Sequence, residues 1–122
     1  MEIRRKSING HIYELVNEWG NCRDGFNHFT TILRDGIEQV EHKVHYINRT
    51  WERYEFETCM RGAVNELIDI ALTYYIDRYK SENGIIRFKK GEKDKVIADF
   101  RQTDAYSELD TLKQVIEQRD FD

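Results

Sequence analysis

His28, His45 and Glu41 are the side chains of this 122-residue chain best suited to seat a divalent ion. Imidazole nitrogens and a carboxylate oxygen are ordinary metal ligands, and on paired strands two histidines one diagonal step apart would converge with the glutamate. Spacing argues the other way. Neither HxH nor HExxH, the usual marks of a metal centre, occurs in the chain, and a plain polar sheet face carries the same residues. His42, alone on an expected apolar face, reads as a satisfied core histidine. No metal and no cofactor is assigned.

Nucleophilic chemistry has less support. The chain has no GxSxG elbow and no glycine-rich phosphate loop, and neither Cys22 nor Cys59 belongs to a CxxC pair or a Cys–His pattern. Two scattered cysteines are also too few for a disulfide framework. Cys59 falls on an expected buried helix face, where a thiol behaves as a small hydrophobe, and Cys22 in an expected loop. The carboxylate pairs Glu55/Glu57 and Asp120/Asp122 are spaced by two, which on a helix turns them apart. The chain reads as a non-enzyme.

Binding residues are easier to find. Arg4-Arg5-Lys6 and Arg87-Phe88-Lys89-Lys90 are basic runs, and an aromatic among basic residues can stack a base while the charges hold phosphate. The competing reading is a solvated loop with Phe88 turned inward. Tyr74, Tyr75, Arg78 and Tyr79 cluster near the end of an expected helix, and Tyr and Arg dominate interface energetics. Glu108, Asp110 and Glu117 lie on an expected acidic C-terminal helix. The net charge of −4 is uneven, with four basic against eight acidic side chains in residues 94–122. A general DNA-binding domain shows a basic excess instead, so the balance favours a basic protein surface as partner.

Positioning these residues requires an α+β fold in one domain. Ile8, Ile12, Leu15, Val16 and Trp19 follow helical spacing, so residues 8–19 are predicted as an N-terminal helix, with a loop over 20–25. Asp35-Gly36 predicts a two-residue type I′ turn and an antiparallel β-hairpin. With Thr31 opposite Val40, the buried face collects Phe29, Thr31, Leu33, Val40, His42, Val44 and Tyr46. The solvent face collects His28, Thr30, Ile32, Gln39, Glu41, Lys43 and His45. From Trp51 to about Lys80 a long central helix is predicted, capped by Thr50 or Asn48, with interior Gly62 marking close approach by the sheet. Residues 85–88 read as a strand-like run, 94–102 as a short helix, and Thr103-Asp104 as the start of a last helix before a frayed tail.

The junction Asn48-Arg49-Thr50-Trp51-Glu52-Arg53-Tyr54-Glu55-Phe56 marks the change of period, and Trp51 there is the expected core anchor between hairpin and long helix. This motif, with Asp24-Gly25-Phe26-Asn27-His28 and Val44-His45-Tyr46, resembles a loosely defined set of small proteins from phages and mobile elements of Gram-positive bacteria. The likeness covers about a third of the chain. It implies a cytoplasmic setting in a bacterial host cell and action by binding and blocking a bacterial defence complex. CRISPR effector nucleases are the foremost candidates, which would make the chain an anti-CRISPR inhibitor. The absence of a signal peptide and of any apolar run near ~18–20 residues agrees with a cytoplasmic, non-membrane protein. The expected partner contacts are Tyr74, Tyr75, Arg78, Tyr79, Glu108, Asp110 and Glu117. The alternative is a small nucleic-acid-binding regulator using Arg4, Arg5, Lys6, Arg87, Phe88, Lys89 and Lys90.

Overall fold

Asn9 and Gly10 take φ angles of 52° and 79°. Two consecutive positive values are what a type I′ turn requires, and they fold the start of the chain into a hairpin. Strand β1 (Glu2–Ile8) pairs antiparallel with β2 (His11–Cys22), Ile8 opposite His11. The predicted N-terminal helix is therefore absent. Its apparent spacing arose because β2 carries apolar side chains on both faces: Tyr13 and Leu15 are buried in the core, whereas Ile12 and Val16 lie on the opposite face. Superposed, the two alternating sets imitate a 3.6-residue stripe.

The structure is a computed structural model that describes residues 1–47 and 53–122, with side chains of the first long helix described from Glu57 onward. The core anchor expected of Trp51 and the cap expected of Thr50 or Asn48 lie outside the described residues. β2 runs on through Cys22 and turns at Arg23-Asp24 into β3 (Gly25–Arg34), so only that turn remains of the predicted loop. Asp35 (φ 51°) and Gly36 (φ 80°) then turn β3 into β4 (Ile37–Tyr46), as their types predict. The four strands form one antiparallel meander in the order β1-β2-β3-β4.

Register within the last hairpin departs from the expectation. Leu33 lies opposite Glu38, but Ile32 lies opposite Val40, so Gln39 is an extra residue and the ladder carries a bulge there. One inserted residue exchanges the faces of everything beyond it. Val40 and His42 of β4 do face the helices. On β3, however, Phe26, His28, Thr30 and Ile32 share that face, and Phe29, Thr31 and Leu33 turn outward.

Two of the three helices cover the inner face, and the middle one packs on the first. α1 (Arg53–Asn83) presents Cys59, Met60, Ala63, Val64 and Leu67 to the sheet. Gly62 lies against His42 of β4, and a Cβ added there would run into the imidazole. Residues 85–88 form no strand: they lie at the far end of α1, with no strand beside them among the described residues, and Ile86 is 96% exposed. α2 (Glu92–Phe100) and α3 (Asp104–Gln118) follow, and the Thr103 hydroxyl caps α3 by accepting from the Tyr106 N–H. α3 buries Leu109, Leu112, Val115 and Ile116 in the same core.

The tail, expected to fray, is docked. The Asp122 N–H donates to the Arg5 carbonyl at 2.9 Å, the Ser7 N–H donates to Asp122 Oδ2 at 3.0 Å, and Phe121 packs against the core. It thereby occupies backbone groups on the open edge of β1. Among the described residues no helix is long and apolar enough to cross a membrane.

Candidate functional site

The C-terminal part of α1 leaves the core. Leu67 is its last buried residue and Ala71 its last contact with the core cluster, while the helix continues to Asn83. At about 1.5 Å per residue, that leaves roughly three turns beyond the sheet. These turns are braced from one side: the ring of Tyr75 packs on Phe100 (5.5 Å between centroids) and Tyr79 on Phe88 (6.4 Å). The other side is open. Tyr74 is 68% exposed, and Tyr74, Tyr75, Arg78 and Tyr79 line a shallow recess of about 200 Å³ together with Glu82. Arg78 Nε donates to Glu82 at 2.8 Å, which fixes the guanidinium along the helix.

None of Glu108, Asp110 and Glu117 lines that recess. Glu108 faces the sheet instead, where it accepts hydrogen bonds from the Tyr13 hydroxyl and from Arg34 Nε (2.9 Å). Burial works against its charge, but these two donors outweigh it and hold the carboxyl below the ordinary glutamate value. Burial, then the bond to Glu108, pushes the Tyr13 phenol up. The three groups stand in a cleft of about 690 Å³ between α1, α3 and the strand ends, lined also by His11, whose Nδ1 lies 2.6 Å from Asp35. Tyr13 is a contact that helical spacing concealed; the Asn9-Gly10 turn signal would have revealed it. Asp110 accepts from Gln114 on its own helix, and Glu117 is exposed.

The N-terminal basic run splits across the sheet. Arg4 pairs with Glu2 and lies over the Phe121 ring at 5.6 Å. Lys6, on the same face, meets Asp120 (3.4 Å) and Asp122 (3.3 Å). Arg5 points the other way, to Glu14 at 2.9 Å. At the other basic run, Phe88 is half-buried beneath the Lys80 ammonium (4.7 Å from its centroid), while Arg87, Lys89 and Lys90 are exposed.

His28, His45 and Glu41 do not converge. His28 is 1% exposed on the inner face, its Nε2 3.1 Å from Asn17 Oδ1, which also accepts from the Thr30 hydroxyl at 2.7 Å. His45 and Glu41 lie on the outer face, because the Gln39 bulge moved His28 away from them. His42 is held between sheet and helix by Glu66 at 2.7 Å. No family model, curated protein or solved structure matches the chain.

Proposed function

We propose that the protein works by binding a protein partner, and that the contact surface is the projecting end of α1. The observation that carries this reading is the exposure of Tyr74 and Arg78 on turns that have left the core. Tyr supplies large contact area at low entropic cost and Arg a planar fork of donors, so such a pair on a braced helix is well placed to anchor an interface. In keeping with the phage resemblance, the partner is a bacterial defence complex, with a CRISPR effector nuclease foremost, and binding inhibits it.

The test is co-purification with candidate nuclease complexes, followed by a target-cleavage assay. Capture and inhibition are expected from the intact chain, and both should fall at least tenfold in a Tyr74→Ala, Arg78→Ala double variant with an unchanged melting curve. Neither complex nor inhibition with any defence complex of the host would overturn the reading.

A second reading, nucleic-acid binding, is favoured by one observation: Arg87, Lys89 and Lys90 are exposed together at the same end. It weakens on another, because Phe88 is already covered by Lys80 and Tyr79 and offers little face to a base. Affinity for single-stranded DNA or RNA that falls steeply with salt and drops in a Lys89→Ala, Lys90→Ala variant would support it.

A further inference from the structure

The outer face of the sheet carries a second constellation, at the β2–β3 turn. Cys22 ends β2, Asp24 sits in the turn, and His45 comes from β4. The strand register explains why they meet. Asn27 lies opposite both Gly20 and His45, and Cys22 is two residues beyond Gly20, so the thiol, the imidazole and the Asn27 amide share one face. Cys22 Sγ is 3.7 Å from Asp24 Oδ1 and 3.7 Å from His45 Nδ1, and His45 Nε2 is 3.3 Å from Asp24 Oδ1. One ligand atom from each of the three falls within 4.8 Å of the others.

Two chemistries use a thiol, an imidazole and a carboxylate. In a nucleophilic relay the imidazole stands between the other two, which keeps sulfur and carboxylate well apart. Here they touch each other as well as the ring. The Cys22 thiol donates to Asp24 here; a thiolate in this closed triangle would lie beside a carboxylate, which disfavours a free nucleophile and suits a cation at the centre. The dimensions agree. Zn–S of about 2.3 Å with Zn–N and Zn–O of about 2.0 Å puts tetrahedral neighbours about 3.3–3.5 Å apart, near the 3.3 Å between His45 Nε2 and Asp24 and the 3.7 Å between Cys22 Sγ and Asp24.

The Asn27 side chain adds an orienting contact. Its Oδ1 lies 2.8 Å from His45 Nδ1, a contact that would hold a proton on that nitrogen and leave Nε2, beside Asp24, as the ring atom that could ligate an ion. The 3.3 Å contact of Nε2 with the carboxylate is bridged by a proton or by a cation, and an ion bound there would displace that proton. Thiolate and carboxylate together would balance a divalent ion's charge, and the mixed sulfur, nitrogen and oxygen set suits Zn²⁺ over Mg²⁺ or Ca²⁺.

We propose that Cys22, Asp24 and His45 form a three-ligand Zn²⁺ site, positioned by Asn27, whose fourth position faces solvent. The site is independent of the α1 surface, and its ligands come from three neighbouring segments of a hairpin meander. A bound ion would cross-link the β2–β3 turn to β4.

The test uses the full, untagged chain under reducing conditions. Zn²⁺ titration by calorimetry should give one ion per chain. Binding should weaken at least tenfold in each of Cys22→Ser, Asp24→Asn and His45→Ala, and about 10–100-fold in Asn27→Ala. Glu41→Gln, on the same face, should bind as the parent chain does. Co²⁺ substitution supplies a readout that does not depend on those variants folding: one equivalent should produce a thiolate-to-metal charge-transfer band that survives Cys59→Ser. No stoichiometric ion, no thiolate band, a band that disappears with Cys59, or unchanged affinity in the ligand variants would each overturn the site.

Discussion

Gly62 of α1 and His42 of β4 touch where helix and sheet come closest: the imidazole occupies the space a Cβ at 62 would need, and Glu66 holds the ring there. Alanine at 62 brings better helix propensity but a collision. Gly62→Ala should therefore destabilise the fold by about 1–3 kcal/mol. In a His42→Ala background the same change should stabilise by about 1 kcal/mol, because only propensity is left. Urea midpoints for the four-member cycle check the reversal, and equal effects in both backgrounds would refute the contact.

Glu108 and Tyr13 should set the two pH limbs of stability. Glu108 titrates below its ordinary value in the folded chain, so the unfolded chain takes up its proton first. Its contribution is complete above the unfolded value of about 4.3 and is lost as pH falls through the folded one. Tyr13 has the opposite sign: raised on folding, its contribution is complete below about pH 10 and is lost as pH rises beyond that. Urea melts across pH should show Glu108→Gln flattening the acid limb and Tyr13→Phe the alkaline one.

Some of this was legible in the chain and some was not, for identifiable reasons. Asp35-Gly36 predicted its turn because two positive φ angles demand such residues, and Thr103 and Gly62 likewise spoke for themselves. Asn9-Gly10 carried the same turn signal, but Ile12 and Val16 on the outer face of β2 created a false helical stripe across it. The Gln39 bulge has no residue signature of its own, so the hairpin faces were exchanged on β3, and His28 was placed with His45 when it belongs with Asn17. The cluster at Cys22 was invisible for the same reason: it depends on three strands in correct register. The clustering of Tyr74, Tyr75 and Tyr79 is legible because a single helix positions them.

Arg119 and Glu57 form an ion pair that ties the end of α3 to the start of α1. Glu57 is nearly buried and Arg119 half-exposed, so removing the arginine leaves a carboxylate in a poorly solvated place. Arg119→Ala should cost about 1–2 kcal/mol, less than the ~3–5 of a fully buried pair. Combining it with Glu57→Gln should recover part of that loss, read as a urea midpoint.

Arg4 and Lys6 should matter to stability and not to any nucleic-acid affinity, since their charges are already met by Glu2, Asp120 and Asp122. Lys6→Ala should loosen the tail, seen as faster amide exchange at Asp122, while leaving any salt-dependent binding through Lys89 and Lys90 unchanged. A larger effect on binding than on exchange would reverse this assignment.

The uninterrupted meander has a kinetic consequence. Each of its three strand pairs closes through a two-residue connection, so the sheet can zip from any turn with little chain entropy to overcome. The contacts most distant in sequence are those of α3 and the tail with β1, 115 residues apart at Ser7 and Asp122. Such a contact map predicts rapid early hairpins and docking of the tail after the barrier, so that mutations in the tail should speed unfolding while leaving the refolding rate nearly untouched.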